Sequence, residues 1–241
     1  GGKTVASGIK DAARAAAGGA SFLKDHAYTL HLVLEGRNAE ELKTSMARAR
    51  AIGTAHGVEI ENTVPKVMRS KPFSPVRGML GLNGERWVPI HAVFPMGDWK
   101  RVVEANDAFF AERKAEMERH GIVYSVMTMT VGGEFFIEPA FYWNDEITPL
   151  HAESLGEDVV RPWRNRPANE AAREAVAELR AATQDLYISL GGVNWQVARD
   201  YPFRSVLEPA TWALLQAVKD AVDPDGLMNP GSLGLGSENQ R

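Results

Sequence analysis

The chain has no cysteine among its 241 residues. That excludes disulfide scaffolds, thiol nucleophiles, iron-sulfur clusters and cysteine-based zinc sites, while leaving the redox compartment open. No apolar run approaches the roughly 20 residues that a membrane helix needs, so no membrane span is expected. Positive charge is not in excess either: 27 Lys and Arg face 31 Asp and Glu, a formal net charge of -4. A nucleic-acid binder usually needs a basic face, so nucleic acid is not an expected partner. Also missing are a Gly-x-Gly-x-x-Gly between strand and helix, a phosphate loop, a His-Glu-x-x-His and a nucleophile elbow. The histidines are His26, His31, His56, His91, His120 and His151. No two of them stand three or four apart on a helix, so no metal site is expected. The chain begins Gly1-Gly2 without a methionine, so a native N-terminus with any targeting signal is expected to be missing, and cytoplasm and periplasm both stay open.

What is present is a globular composition, 44% hydrophobic and 24% charged, enough for one large or two modest cores. An alanine-rich stretch over 8–17 reads as a short helix ended by Gly18-Gly19. "YTLHLVLEG" (28–36) reads as a strand, Asn38 with Glu41 as a capping box, and Leu42, Met46 and Ala49 as the buried face of the following helix. "VEIENTV" follows as a second strand or edge segment, and the proline-rich stretch 63–84 as a loop or short helical connection. The order then repeats, with "RWVPIHAVFP" (86–95) as strand, Asp98 as cap, and a helix with Val102, Val103, Phe109, Phe110 and Met117 on its face. Residues 122–145 read as two strands meeting at Gly132-Gly133, a pair suited to a hairpin turn. Two such strand-helix-strand units imply an α+β, ferredoxin-like fold: a mainly antiparallel sheet with helices on one face. After it come a basic loop (161–167), an amphipathic helix (168–187), an irregular stretch (189–205) and a last helix starting near Pro209. The expected division is an N-terminal helix or linker over 1–19, the ferredoxin-like domain over 20–158 and a helical extension over 159–241.

Three places carry candidate chemistry. "EFFIEPAFYWND" sets Phe135, Phe136, Phe141, Tyr142 and Trp143 around one carboxylate, Glu138, a mixture suited to a flat aromatic ligand with one polar handle. The alternative is that most of these rings are core and Glu138 is a solvated alternate position. "GGVNWQVARDYPFR" offers Asn194, Trp195, Arg199, Tyr201 and Arg204 beside glycines that permit close backbone approach, or else is a surface turn. His91, between apolar neighbours on a strand, is either a hydrogen-bonded core histidine or a reactive one. The basic loop reads as a solvated face.

The C-terminal stretch "VKDAVDPDGLMNPGSLGL" (218–235) joins a helix to two successive turns, Pro-Asp-Gly and Asn-Pro-Gly. A helix entering Asp-Pro-x-Gly-(Leu/Ile)-x-x-Pro-Gly resembles the C-terminal end of FAD-linked oxidases. More narrowly, residues 88–133 ("VPIHAVFPMGDWKRVVEANDAFFAERKAEMERHGIVYSVMTMTVGG") resemble the cap domain of the vanillyl-alcohol oxidase and p-cresol methylhydroxylase flavoprotein family. There, too, a strand ending in proline, a long helix, a glycine and a strand with Thr-x-Thr-Val-Gly occur in this order. The resemblance covers roughly residues 20–235.

That resemblance implies the substrate or cap half of an FAD-dependent oxidoreductase, which oxidises a small alcohol, phenol or hydroxy acid by hydride transfer to flavin. It implies FAD held mainly by an FAD-binding domain that precedes the cap and is missing from these residues. It further implies a glycine-rich tail that returns to that domain, with Asn229 and Gly231 reaching the cofactor. The surface left bare is expected to favour a homodimer. Within this frame Glu138, Arg199 and Tyr201 are the catalytic candidates, with Glu138 as proton acceptor. Tyr142, Trp143, Asn194, Trp195 and Arg204 are the substrate-binding ones, and Arg199 or Arg204 would grip an anionic group. His91 is the candidate for a covalent flavin link, one residue off an ungapped match through Pro95. The sequence departs from the family twice. The phenol-oxidising members carry Tyr-Arg where this chain has Asn194 and Trp195; the glycolate and lactate branch carries Glu-His-Gly there and a His-rich metal motif where this chain has Gly132-Gly133-Glu134-Phe135. A non-catalytic ferredoxin-like binding or assembly module is the rival reading.

Overall fold

The computed structural model describes residues 28–60, 79–81, 83–196 and 201–236. The chain divides into two compact units, residues 1–75 and 76–241. The helix expected at 8–17 and most of the 63–84 loop lie outside the described residues.

In the first unit, α1 (Ala39–Thr54) starts where expected, with the Asn38 side chain accepting from the Glu41 backbone N–H at 2.9 Å. The return bond from the Glu41 carboxylate goes to the N–H of Arg37 rather than to that of the cap itself. No residue of α1 is buried. The strand expected over 28–36 does not form, and Leu30, Leu32 and Val33 are exposed. Alternation gives a strand its two faces, but a ladder also needs a neighbour, and none of the described strands pairs with this segment. The duplicated unit expected from the sequence is therefore not seen among the described residues.

The second unit is α+β, built on a four-stranded antiparallel sheet. Its strands are β1 (Arg86–Pro89), β2 (Ala92–Pro95), β3 (Val123–Val131) and β4 (Glu134–Trp143). β4 is central, with β3 along one side and β1 and β2 end to end along the other. The expected 86–95 strand is thus interrupted, yet its register is continuous: Pro89 faces Ala140 and Ala92 faces Ile137. The break has a chemical cause in Pro139. Its carbonyl accepts from Ile90 N–H at 3.0 Å, but proline has no N–H to return the bond. Gly132, at φ 62°, makes the turn between β3 and β4 in the left-handed region that glycine adopts without penalty.

Period-two alternation sorts the sheet into two faces. Ile90, Ala92, Phe94, Phe135, Ile137 and Phe141 point to one side. There they pack with Val102, Phe109, Phe110 and Met117 of α2 (Trp99–Arg119) and with the Ala172, Ala175, Val176, Leu179 and Tyr187 side of a second long helix. Each such buried side chain is worth about 1.5–3 kcal/mol for the larger ones, which is why α2 and its partner keep to this face. Asp98, expected to cap α2, makes no cap bond and pairs with Arg101 at 3.3 Å.

Two short helices, α3 (Pro149–Leu155) and α4 (Glu157–Val160), lead into α5 (Glu170–Ser189). The basic loop between them is neutralised: Arg161 pairs with Asp158, Arg164 with Glu157, and Arg166 donates to the carbonyls of Gly84 and Asn83. Asp145, fully enclosed, fastens the end of β4 to the start of α5. It accepts from Arg173 at 2.7 and 2.8 Å, from the Trp143 indole at 3.1 Å and from the N–H groups of Glu146 and Asn169. Burial pushes this carboxyl up, and those donors together outweigh it, holding Asp145 well below the usual carboxylate range. The last helix, α6 (Pro209–Val222), ends at Asp223, whose carboxylate takes the N–H groups of Leu227 and Met228 and the Lys219 ammonium. One aspartate thereby organises the first turn of the tail. No described helix is long and apolar enough to cross a membrane.

Candidate functional site

The residues of the other face of the sheet follow from the register. Trp87, Pro89 and Val93 on the β1/β2 side stand opposite Tyr142, Ala140 and Phe136 of β4. On the far side, Val123, Ser125, Met127 and Met129 of β3 stand opposite Tyr142, Ala140, Glu138 and Phe136. The continuous register sets His91 across from Glu138, and their nearest atoms, Nδ1 and Oε2, are 3.9 Å apart. Among the described strand residues of this face there is no Lys or Arg, and the carboxylates are Glu138 in its middle and Glu134 at the turn end of β4.

Two aromatic pairs flank Glu138 along β4. At one end Phe136 stacks on Trp195 at 4.8 Å and on His91 at 5.3 Å. At the other, Tyr142 stacks on Trp87 at 6.5 Å and its hydroxyl takes a 3.4 Å bond from Ser125. Between them Ala140, Pro89 and Ser125 are small. The β3 edge is open to solvent, with Met127 49% and Met129 37% exposed. The Glu138 side chain is 19% exposed, and burial raises its pKa above the usual carboxylate value. It thus combines access with a basicity greater than that of an ordinary carboxylate.

The stretch after α5 wraps the β2 edge and reaches over this face. Gly192 makes that possible: a Cβ there would stand 2.7 Å from the Phe94 ring and 2.9 Å from the Tyr187 carbonyl. Val193 then pairs with Val93 through bonds of 2.8 and 3.0 Å. Asn194 Nδ2 donates to the His91 carbonyl at 2.6 Å, and the Trp195 N–H donates to His91 Nε2 at 3.1 Å. Tyr201, buried, brings its hydroxyl to 2.8 Å from His91 Nδ1. Burial lowers the His91 pKa.

The fold therefore brings His91, Glu138, Tyr142, Asn194 and Trp195 to one face, and Tyr201, which also packs in the helix-side core, reaches His91 with its hydroxyl. Trp143 does not join them. It is one residue out of phase with Tyr142, faces the helices, and gives its indole N–H to Asp145. Arg204 lies elsewhere, with its guanidinium 5.1 Å over the Trp212 ring, in a groove of about 1280 Å3 shared with Tyr201, Asp220, Gly231 and Leu233. Arg199 lies outside the described residues. Both ring nitrogens of His91 are engaged within the chain, Nε2 by the Trp195 N–H and Nδ1 by the Tyr201 hydroxyl. Asn229 and Gly231 sit in the tail at φ 47° and 79°, where the N–H groups of Gly231, Ser232, Gly234 and Leu235 are spent on carbonyls of the tail itself. Trp87, Met127 and Met129, not singled out by the sequence, belong to the face; their signal is the phase of β1 and β3 relative to Glu138.

Residues 164–233 match the family model described as FAD linked oxidases, C-terminal domain. No curated protein and no solved structure matches the chain. The matched segment takes in α5, the 191–196 loop, Tyr201 and the tail as far as Leu233. It supports an FAD-linked oxidase C-terminal domain, and with it a flavin-dependent oxidoreductase context that implies FAD and an FAD-binding partner domain.

Proposed function

We propose that this chain is the substrate-side cap of an FAD-dependent oxidoreductase, and that the open sheet face is the wall against which a neutral aromatic alcohol or phenol is held. The observation that carries the reading is one half-buried carboxylate, Glu138, set between two aromatic pairs on a face whose described strand residues include no Lys or Arg. A 2-hydroxy acid would bring a carboxylate next to Glu138 with no cation among the described strand residues of the face to receive it, whereas a flat neutral ring matches the stacked pairs.

The residues present suit one part of FAD and not another. A flavin ring, flat and apolar on its faces, suits the exposed edge of Phe136/Trp195 and the Tyr142/Trp87 pair. The pyrophosphate has no comparable place in the described residues, since the N–H groups of Gly231, Ser232, Gly234 and Leu235 in the glycine-rich tail already donate to carbonyls of the tail. This division agrees with a cofactor held mainly by another domain. When bound, FAD supplies the hydride acceptor. The chain's own contribution is to stack the substrate ring, to exclude water with Trp195 and the β3 methionines, and to take the substrate hydroxyl proton on Glu138. The apolar side of α6, where Leu214, Val218 and Val222 are exposed, together with Leu227 and Met228, is the surface proposed to meet the FAD-binding domain.

The reading is tested on the chain itself with methyl-labelled methionine. Titration with a 4-alkylphenol is expected to shift the Met127 and Met129 methyl signals, and titration with lactate is expected to leave them in place. Shifts with lactate and none with the phenol would contradict the neutral-aromatic assignment.

A further inference from the structure

His91 is the point at which the loop, the sheet and Tyr201 meet, and its hydrogen bonds leave it a single neutral form. A backbone N–H can only donate, so Trp195 N–H at 3.1 Å requires an unprotonated Nε2. A neutral ring then carries its proton on Nδ1, which lies 2.8 Å from the Tyr201 hydroxyl oxygen and donates to it. Tyr201 passes its own proton toward Gln196 Oε1 at 3.3 Å. With the Asn194 amide on the His91 carbonyl, residues 194, 195, 196 and 201 are all tied directly or through one atom to this imidazole or its backbone. An imidazolium would set an Nε2–H against the Trp195 N–H, two donors facing each other with no acceptor between them.

We infer that neutral His91, as its Nδ1–H tautomer, is the positioning residue that latches the 194–196 loop and Tyr201 onto the open sheet face, and that protonating it releases Trp195 from Phe136. This deepens the cap reading and rests on it only for what the latched residues serve. Of the groups packed around the ring, β4 contributes Glu138, 3.9 Å from Nδ1, and Phe136; the loop contributes Trp195, and Tyr201 faces Nδ1. Burial lowers the His91 pKa below the ordinary histidine value, which favours the neutral ring, so the two are not an ion pair near neutral pH. Ionising Glu138 would favour the imidazolium and weaken the latch.

The test uses the 241-residue chain, labelled with 15N-histidine and identified at position 91 by the signal lost in His91→Gln. At pH about 7 the expected pattern is a protonated Nδ1 with a bare Nε2; an Nε2–H tautomer or an imidazolium overturns the inference. Amide exchange of residues 191–196, corrected for its intrinsic pH dependence, supplies the second readout. His91→Asn keeps a donor near the Nδ1 position but offers Trp195 no acceptor, and exchange there should rise roughly tenfold, the worth of one hydrogen bond. His91→Gln, whose Oε1 reaches the Nε2 position, should restore most of the protection. Equal protection in His91→Asn and wild type would overturn the latch. If neither variant folds, the wild-type series decides. Exchange at 191–196 relative to β4 should quicken as pH falls below about 6.5, and a flat ratio rejects the switch. None of these readouts involves flavin or substrate, so their failure leaves the cap reading standing.

Discussion

At the scale of single residues, hydrogen bonding separates two carboxylates that burial pushes the same way. Glu138 is pushed up and left accessible, while Asp145 is enclosed and held down by five donated bonds. Their pH signatures have opposite sign. Asp145, lowered in the fold, contributes stability that is full above the ordinary carboxylate value of about 4 and is lost as pH falls below it. Glu138, raised in the fold, contributes below about 4 and loses that contribution as pH rises through its folded value. His91, also lowered, contributes fully above about 6.5 and loses its share as pH falls from there. Removing the carboxylate in Asp145→Ala strips the partner from Arg173, Trp143 and two backbone N–H groups. Urea unfolding should register a loss of about 3 kcal/mol, and the acid limb of the stability profile below about pH 4 should flatten. A loss under about 0.5 kcal/mol would mean that the hub is solvated.

At the scale of elements, the decisive feature is the close passage of the 191–196 loop over the β2 edge. Gly192→Ala places a methyl against Phe94 and the Tyr187 carbonyl. The expected cost is about 1–3 kcal/mol in thermal unfolding, with weaker Trp195 protection, because backbone on one side cannot yield. The strands 123–131 and 134–143 were legible from alternation and from Gly132-Gly133, since both signals are local. The segment 28–36 shows the same alternation and forms no strand, because a partner is not a local property. The site was legible in its ingredients but not in its phase. Tyr142 and Trp143 are equally aromatic, and only the register decides that one lines the open face and the other meets Asp145. The meeting of His91 with Tyr201 spans 110 residues and is set by packing, so no spacing rule could have announced it.

At the scale of the whole molecule, the second unit has helices on one sheet face and, on the other, a partly covered face whose described strand residues include no Lys or Arg. The described residues hold no phosphate cradle, and the net charge of -4 gives no general attraction for phosphates. Titration of free FAD into the chain, followed by flavin fluorescence, is therefore expected to show weak binding or none; submicromolar affinity would contradict a cofactor held mainly elsewhere. The measurement that bears most directly on the central proposal is anaerobic reduction of the full-length flavoprotein, followed by loss of flavin absorbance. A neutral aromatic alcohol or phenol should bleach the flavin faster than a 2-hydroxy acid does. Glu138→Gln should slow that bleaching by roughly 10²–10⁴-fold, the usual worth of a proton acceptor, with substrate affinity little changed. Faster reduction by the hydroxy acid, or an unaltered rate in Glu138→Gln, would contradict the assignment of the open face as the substrate wall.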